Sequence, residues 1–143
     1  MRVILQSTGE ERLFRATGET TGATIFVDVR KGEDVVRQGP RPMELMAMSL
    51  AGCMGSVAIT ILQKKRIPFD GLRIEVDADR SPEPTAHFTG VTIRFTVKTD
   101  SEKLTPEALA QVLELAGKNC SAHRTLSHGV PITAEGQVEP AKG

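Results

Sequence analysis

The sequence predicts a single α+β domain over residues 1–143, with antiparallel sheets set around one long, buried apolar helix. Three observations carry that prediction. Residues 43–62 form an apolar run whose only charge is Glu44. Two later segments alternate between apolar and polar residues. Leu72, Ile74, Val76 and Ala78 interleave with Arg73, Glu75, Asp77 and Asp79, and Val91, Ile93, Phe95 and Val97 with Thr92, Arg94, Thr96 and Lys98. A period of two gives a strand with one dry face and one wet face. Finally, Leu109, Val112, Leu113 and Ala116 repeat at i, i+3, i+4 and i+7, the stripe of an amphipathic helix. Thr105 and Pro106 stand before that stripe as N-cap and first helical residue.

The other elements follow in order. Val3 and Leu5 mark a first strand and Leu13–Ala16 a second. Ala23–Arg30 reads as a third, with Ile25, Val27 and Val29 on one face, after a polar turn at Gly18 to Gly22. The connector Gln38-Gly39-Pro40-Arg41-Pro42 leads into the long helix and is not a domain boundary. Pro42 opens the helix at no hydrogen-bond cost. Lys64, Lys65 and Arg66 complement the dipole at its far end, and Ile67-Pro68 stops it. Gly117 is expected to end the second helix. Asn119 is expected to cap a short third one from Cys120 to about His128, closed by Gly129. Ile132, Ala134 and Val138 form a last strand, with antiparallel pairing expected throughout.

Composition excludes several classes. Lys+Arg and Asp+Glu each number 18, so there is no basic surplus of the kind a nucleic-acid binder shows. Trp and Tyr are absent, and five Phe make a poor base-stacking platform. The apolar stretch after Met1 is too short for a signal peptide, so a cytoplasmic protein is expected. The run 43–62 has the length of a membrane span. Glu44, Ser49, Gly52, Gly55, Ser56 and Thr60 dilute it, and the flanking pattern is that of a soluble protein. A helix buried on nearly every side is the better reading. A chain of this size has difficulty surrounding such a helix alone, so the helix is expected to pack on its twin in a homodimer. Gly52, Gly55, Ser56 and Ala58 would permit close approach.

Two cysteines in a cytosolic chain are thiols, metal ligands or a redox pair more often than a structural disulfide. Cys53 lies midway along the apolar helix, where burial raises a thiol's pKa. Cys120 lies at the start of a short helix, a position that favours its thiolate. Local context therefore makes Cys120 the more easily ionised of the two, and Cys53 needs a donor from elsewhere in the fold. A zinc site from Cys120, His123 and His128, with Cys53 as a further ligand, is a rival reading, though the spacing matches no standard finger.

The segment Gly39-Pro40-Arg41-Pro42-Met43-Glu44-Leu45, followed by Ala51-Gly52-Cys53, resembles the central-helix motif of the OsmC/Ohr family. Asn119-Cys120-Ser121 through Val130-Pro131-Ile132 resembles that family's second cysteine segment. The resemblance runs from about Gly22 to Val138. It implies an intertwined homodimer and a cysteine-based peroxidase for organic hydroperoxides, with Cys53 the peroxidatic and Cys120 the resolving cysteine. No metal or organic cofactor is implied. The partners implied are a second copy of the chain, the hydroperoxide, and an external thiol reductant of dihydrolipoyl type. Neither nucleic acid nor a membrane is expected.

The family activates its thiolate with a helix glutamate and an N-terminal arginine. Glu44 and, among Arg12, Arg15, Arg37 and Arg41, first of all Arg15 are the candidates here. The family carboxylate directly follows the proline, where this chain has Met43. Glu44 comes one residue later, turned by about 100° around the helix. As an N-terminal carboxylate, Glu44 also suits the helix dipole without any catalytic role. Met43, Met46, Leu50 and Met54 either line a pocket for a greasy peroxide or are simply core. A non-enzymatic protein holding an apolar ligand is the alternative function.

Overall fold

The computed structural model describes residues 1–141. The elements run β1 (Val3–Ser7), β2 (Leu13–Gly18), β3 (Thr24–Asp28), α1 (Pro42–Lys64), β4 (Gly71–Arg80), β5 (Phe88–Lys98), α2 (Pro106–Asn119), α3 (Ser121–Leu126) and β6 (Ile132–Glu139). They fall into two compact units that divide after Met46.

The first unit is an antiparallel meander in the order β1-β2-β3. Leu13, Ala16 and Val27 are its buried apolar residues. The predicted face of β3 is only partly right. Val27 is buried, but Ile25 and Val29 are exposed and the buried neighbour is Asp28, fully inaccessible to solvent. Such a carboxylate must be paired. Arg30 meets it with Nε at 3.0 Å and Nη2 at 2.6 Å. The backbone N–H groups of Arg30 and Gln38 donate to it at 3.1 and 3.0 Å, and Arg37 adds a weaker contact at 3.5 Å. Gly39 then passes so close to β3 that a Cβ there would collide with the Phe26 carbonyl. Asp28 and Gly39 together thus fix the connector that delivers the chain into α1.

The Arg30 side chain holds the Asp28 carboxyl well below its ordinary value of 3.8. Burial opposes this, while the Gln38 and Arg30 N–H groups and the Arg30 charge reinforce it. A carboxylate depressed in the folded state stabilises the fold above its unfolded pKa, and that contribution drains away as pH falls through the folded pKa. Asp28→Asn should therefore flatten the acid limb of a stability-versus-pH curve between about pH 4 and 2. Urea unfolding at stepped pH measures this. An unchanged limb would remove Asp28 from that role.

Helix α1 begins with half of a capping box. The Arg41 carbonyl accepts from Leu45, which makes Arg41 the N-cap, and Glu44 at N3 reaches back to the Arg41 N–H at 2.8 Å. The helix ends in a Schellman turn. Arg66 takes φ of +54°, its N–H bonds to the Gln63 carbonyl, and the Ile67 N–H bonds to that of Leu62. Burial is confined to one stripe, Leu50, Met54, Gly55, Ala58 and Leu62. The expected burial on nearly every side relied on a second copy, and a single chain covers only this stripe. Met48 is 57% exposed, and only 28% of the most apolar stretch is buried. Gly55 is close-packed against Ile74, whereas Gly52 faces open space.

In the second unit the sheet order is β4-β5-β6. The central strand β5 buries Val91, Ile93, Phe95 and Val97, as its alternation predicts. On the edge strand β4, Leu72, Ile74 and Val76 are half-buried rather than core. Strands β4 and β5 are antiparallel, but β6 runs parallel to β5. The all-antiparallel expectation fails there because α2 and α3 form a crossover, the connection parallel neighbours require. Thr105 caps α2 through the Ala108 N–H at 3.1 Å, and Leu109, Val112, Leu113 and Ala116 are buried as predicted. Gly136 of β6 lies under Leu109 and Leu113, where a Cβ would clash, so the helix can sit directly on the sheet.

Candidate functional site

Two predicted boundaries shift near Cys120. Helix α2 does not stop at Gly117 but runs to Asn119, whose amide donates to the Leu115 carbonyl. Gly117 instead lies against the His123 ring. Cys120 is then the C-cap of α2 and the N-cap of α3, in extended backbone conformation (φ −90°, ψ 119°). Its sulfur, not the Asn119 side chain, accepts the His123 N–H at 3.3 Å. Helix α3 ends at Leu126, short of His128.

This kink brings the two cysteines together. Cys53 is half-buried on α1, and Cys120 is fully buried. The Ser121 hydroxyl stands 3.7 Å from the Cys53 sulfur. Burial pushes the Cys53 thiol up, but hydrogen bonding from the Cys120 thiol, the Ala122 N–H, the Ser121 hydroxyl and the Ser121 N–H outweighs it, and the pKa falls below the ordinary value. Cys120 goes the other way. Burial raises it, Cys53 raises it further, and the His123 and Ala122 N–H groups compensate only in part. This reverses the order expected from local context. Much of the hydrogen bonding offered by the segment after Cys120 goes to Cys53, and Cys120 pays for deeper burial. Of the two, Cys53 is the more accessible and the more readily ionised thiol, and Cys120 the more deeply buried.

Glu44 and Arg15 lie in the first unit. Glu44 has its carboxylate on the Arg41 N–H. Arg15 is exposed on β2 with its guanidinium carbon 6.0 Å from the Phe26 ring centroid, the partner across the β2–β3 ladder. Leu50 and Met54 are core residues, while Met46 is exposed. Met54 also reaches a groove of about 730 Å³ walled by Leu113, Gly117, His123, Arg124 and Ile132. Among the described residues no three His, Cys, Asp or Glu side chains are grouped as a metal site requires. Sequence reasoning missed Ser121, whose only signal was its place directly after Cys120, and Asp28, whose partner Arg30 stands two residues away.

The model of the OsmC-like protein family matches residues 32–135, well over half of the chain and including both cysteines. The chain belongs to the OsmC-like family. Solved structures agree on the fold. One from structural genomics is 25% identical with a TM-score of 0.84, covering 99% of this chain and 100% of its own. An OsmC-like protein from Mycoplasma pneumoniae is 18% identical with a TM-score of 0.80, covering 96% of each chain. The organic hydroperoxide resistance protein OhrB of Bacillus subtilis is 16% identical with a TM-score of 0.70, covering 95% of this chain and 96% of its own. No curated protein sequence matches this one significantly.

Proposed function

We propose that this OsmC-like protein is a cytoplasmic thiol peroxidase for organic hydroperoxides, serving oxidative stress defence. The observation that carries the proposal is geometric: a half-accessible cysteine on α1, Cys53, meets the segment that begins with the buried Cys120, with the Ser121 hydroxyl 3.7 Å from its sulfur. The Cys53 thiolate attacks the distal peroxide oxygen and the O–O bond breaks. The electron pair leaves with the alkoxide, which takes a proton from solvent to become the alcohol. Cys53 becomes a sulfenic acid. The Cys120 thiol then condenses with it, releasing water and forming the disulfide. Two equivalents of external thiol, or one dithiol of dihydrolipoyl type, restore both cysteines by exchange. None of these steps calls for a metal or organic cofactor. Arg15 enters as a supporting group, in the role the family resemblance implies, while Glu44 serves the α1 cap through the Arg41 N–H.

Consumption of tert-butyl hydroperoxide with dithiothreitol or a dihydrolipoyl reductant tests the proposal. The second reading is a binding protein for an apolar ligand in which both thiols are passive, with the 730 Å³ groove, lined by Met54, Leu113 and Ile132 but also by Glu114, Lys118, Arg124 and Glu135, as its candidate site. That reading gains if peroxide is not consumed.

The proposal includes a homodimer. Its support is the apolar surface α1 leaves uncovered, with Met46 and Met48 at 39% and 57% exposure. Light scattering at micromolar concentration without detergent should give twice the chain mass. A well-behaved monomer would exclude it.

A further inference from the structure

We infer that Ser121 is a catalytic residue, its hydroxyl donating to the Cys53 sulfur and preparing it for attack. The purpose of this role rests on the peroxidase reading. Its test does not.

Three observations carry it. The Ser121 Oγ stands 3.7 Å from the Cys53 Sγ. Among the described residues it has no other hydrogen-bond partner, so the hydroxyl is not committed to holding the backbone. The kink at Cys120 turns that residue's sulfur back onto the His123 N–H, and the next side chain along is the one that meets Cys53. Cys53 also has few alternatives. Met43 occupies the place where the family resemblance expects a carboxylate, and Glu44 is bonded to the Arg41 N–H. A hydroxyl donor favours a thiolate over a thiol because its bond to the charged sulfur is the stronger one. The titratable neighbour, Cys120, stays protonated as the thiolate forms, since its own pKa is raised. Activation and resolution of Cys53 are therefore carried by adjacent residues, Ser121 and Cys120.

The test is the pH dependence of iodoacetamide labelling at Cys53 in the full-length reduced protein. Cys53 and Cys120 fall in separate tryptic peptides, so mass spectrometry reads each site alone. Ser121→Ala and Ser121→Gly should each move the Cys53 midpoint up by about one pH unit, which slows labelling roughly tenfold below both midpoints. The high-pH plateau rate should stay unchanged, because only ionisation and not access is altered. Ser121→Thr, which keeps a hydroxyl, should restore the wild-type midpoint. An unmoved midpoint in the Ala and Gly variants would overturn the inference, as would a Thr variant that shifts as far as Ala. If the midpoint shifts as expected but the wild type consumes no hydroperoxide, the Ser121–Cys53 pairing stands and the peroxidase reading alone falls. If hydroperoxide is consumed but no midpoint shifts, only Ser121 falls.

Discussion

Cys53→Ser should reduce thiol-dependent hydroperoxide consumption to the uncatalysed background, and Cys120→Ser should leave one turnover. The difference follows from what each sulfur is given. Cys53 has the lowered pKa and partial access to solvent, so it supplies the nucleophile. A serine hydroxyl there stays protonated at any physiological pH and leaves the peroxide untouched. Cys120 is buried, with a raised pKa, and cannot compete for the oxidant. Its replacement spares the first attack but removes the thiol that traps the sulfenic acid, which a second molecule of hydroperoxide then oxidises to the sulfinic acid at position 53, releasing a second alcohol. Serine also keeps an oxygen at the N-cap of α3, so that helix should survive in Cys120→Ser. Stopped-flow peroxide consumption and the mass of the Cys53 peptide read the two outcomes. Full activity in Cys53→Ser would contradict the assignment of Cys53 as the nucleophile.

Phe95→Ala should cost about 3–5 kcal/mol of folding stability. Phe95 is 1% exposed on the central strand β5, flanked along the same face by Ile93 and Val97. It pairs with Ile74 on one side and Gly136 on the other. Gly136 offers no side chain to fill the space left behind, and Leu109 and Leu113 already press against it. The cavity should therefore stay largely open. Reversible denaturant unfolding at fixed protein concentration measures the loss. A cost below about 1 kcal/mol would mean the site collapses around the alanine.

The parts of this fold that were legible in the sequence are those set by local periodicity. The alternation of β5, the α2 stripe and the Thr105-Pro106 cap all appear where they were expected, because each is decided within a few residues. What was not legible depends on distant partners. The direction of β6 is set by the path of α2 and α3, not by Ile132, Ala134 or Val138 themselves. Gly117 reads as a helix stop, yet it continues α2 with the His123 ring against it. Asp28 sits on a buried face that a pattern of apolar residues could not announce.

The site divides the same way. That Cys53 needed a donor from elsewhere was readable from its place in an apolar helix. That the donors would come from the Cys120 segment was not, because the kink between α2 and α3 decides which sulfur faces which group. The resemblance of the two cysteine segments supplied the pairing that spacing alone could not. Glu44, one residue later than the motif places its carboxylate, makes a reciprocal cap on Arg41.

The most direct test of the two-cysteine cycle is to treat the fully reduced protein with one equivalent of tert-butyl hydroperoxide, quench by alkylation, and digest without reductant. Loss of both free thiols and appearance of a linked Cys53–Cys120 peptide is the expected result. Survival of both thiols, or oxidation confined to Cys120, would contradict the cycle.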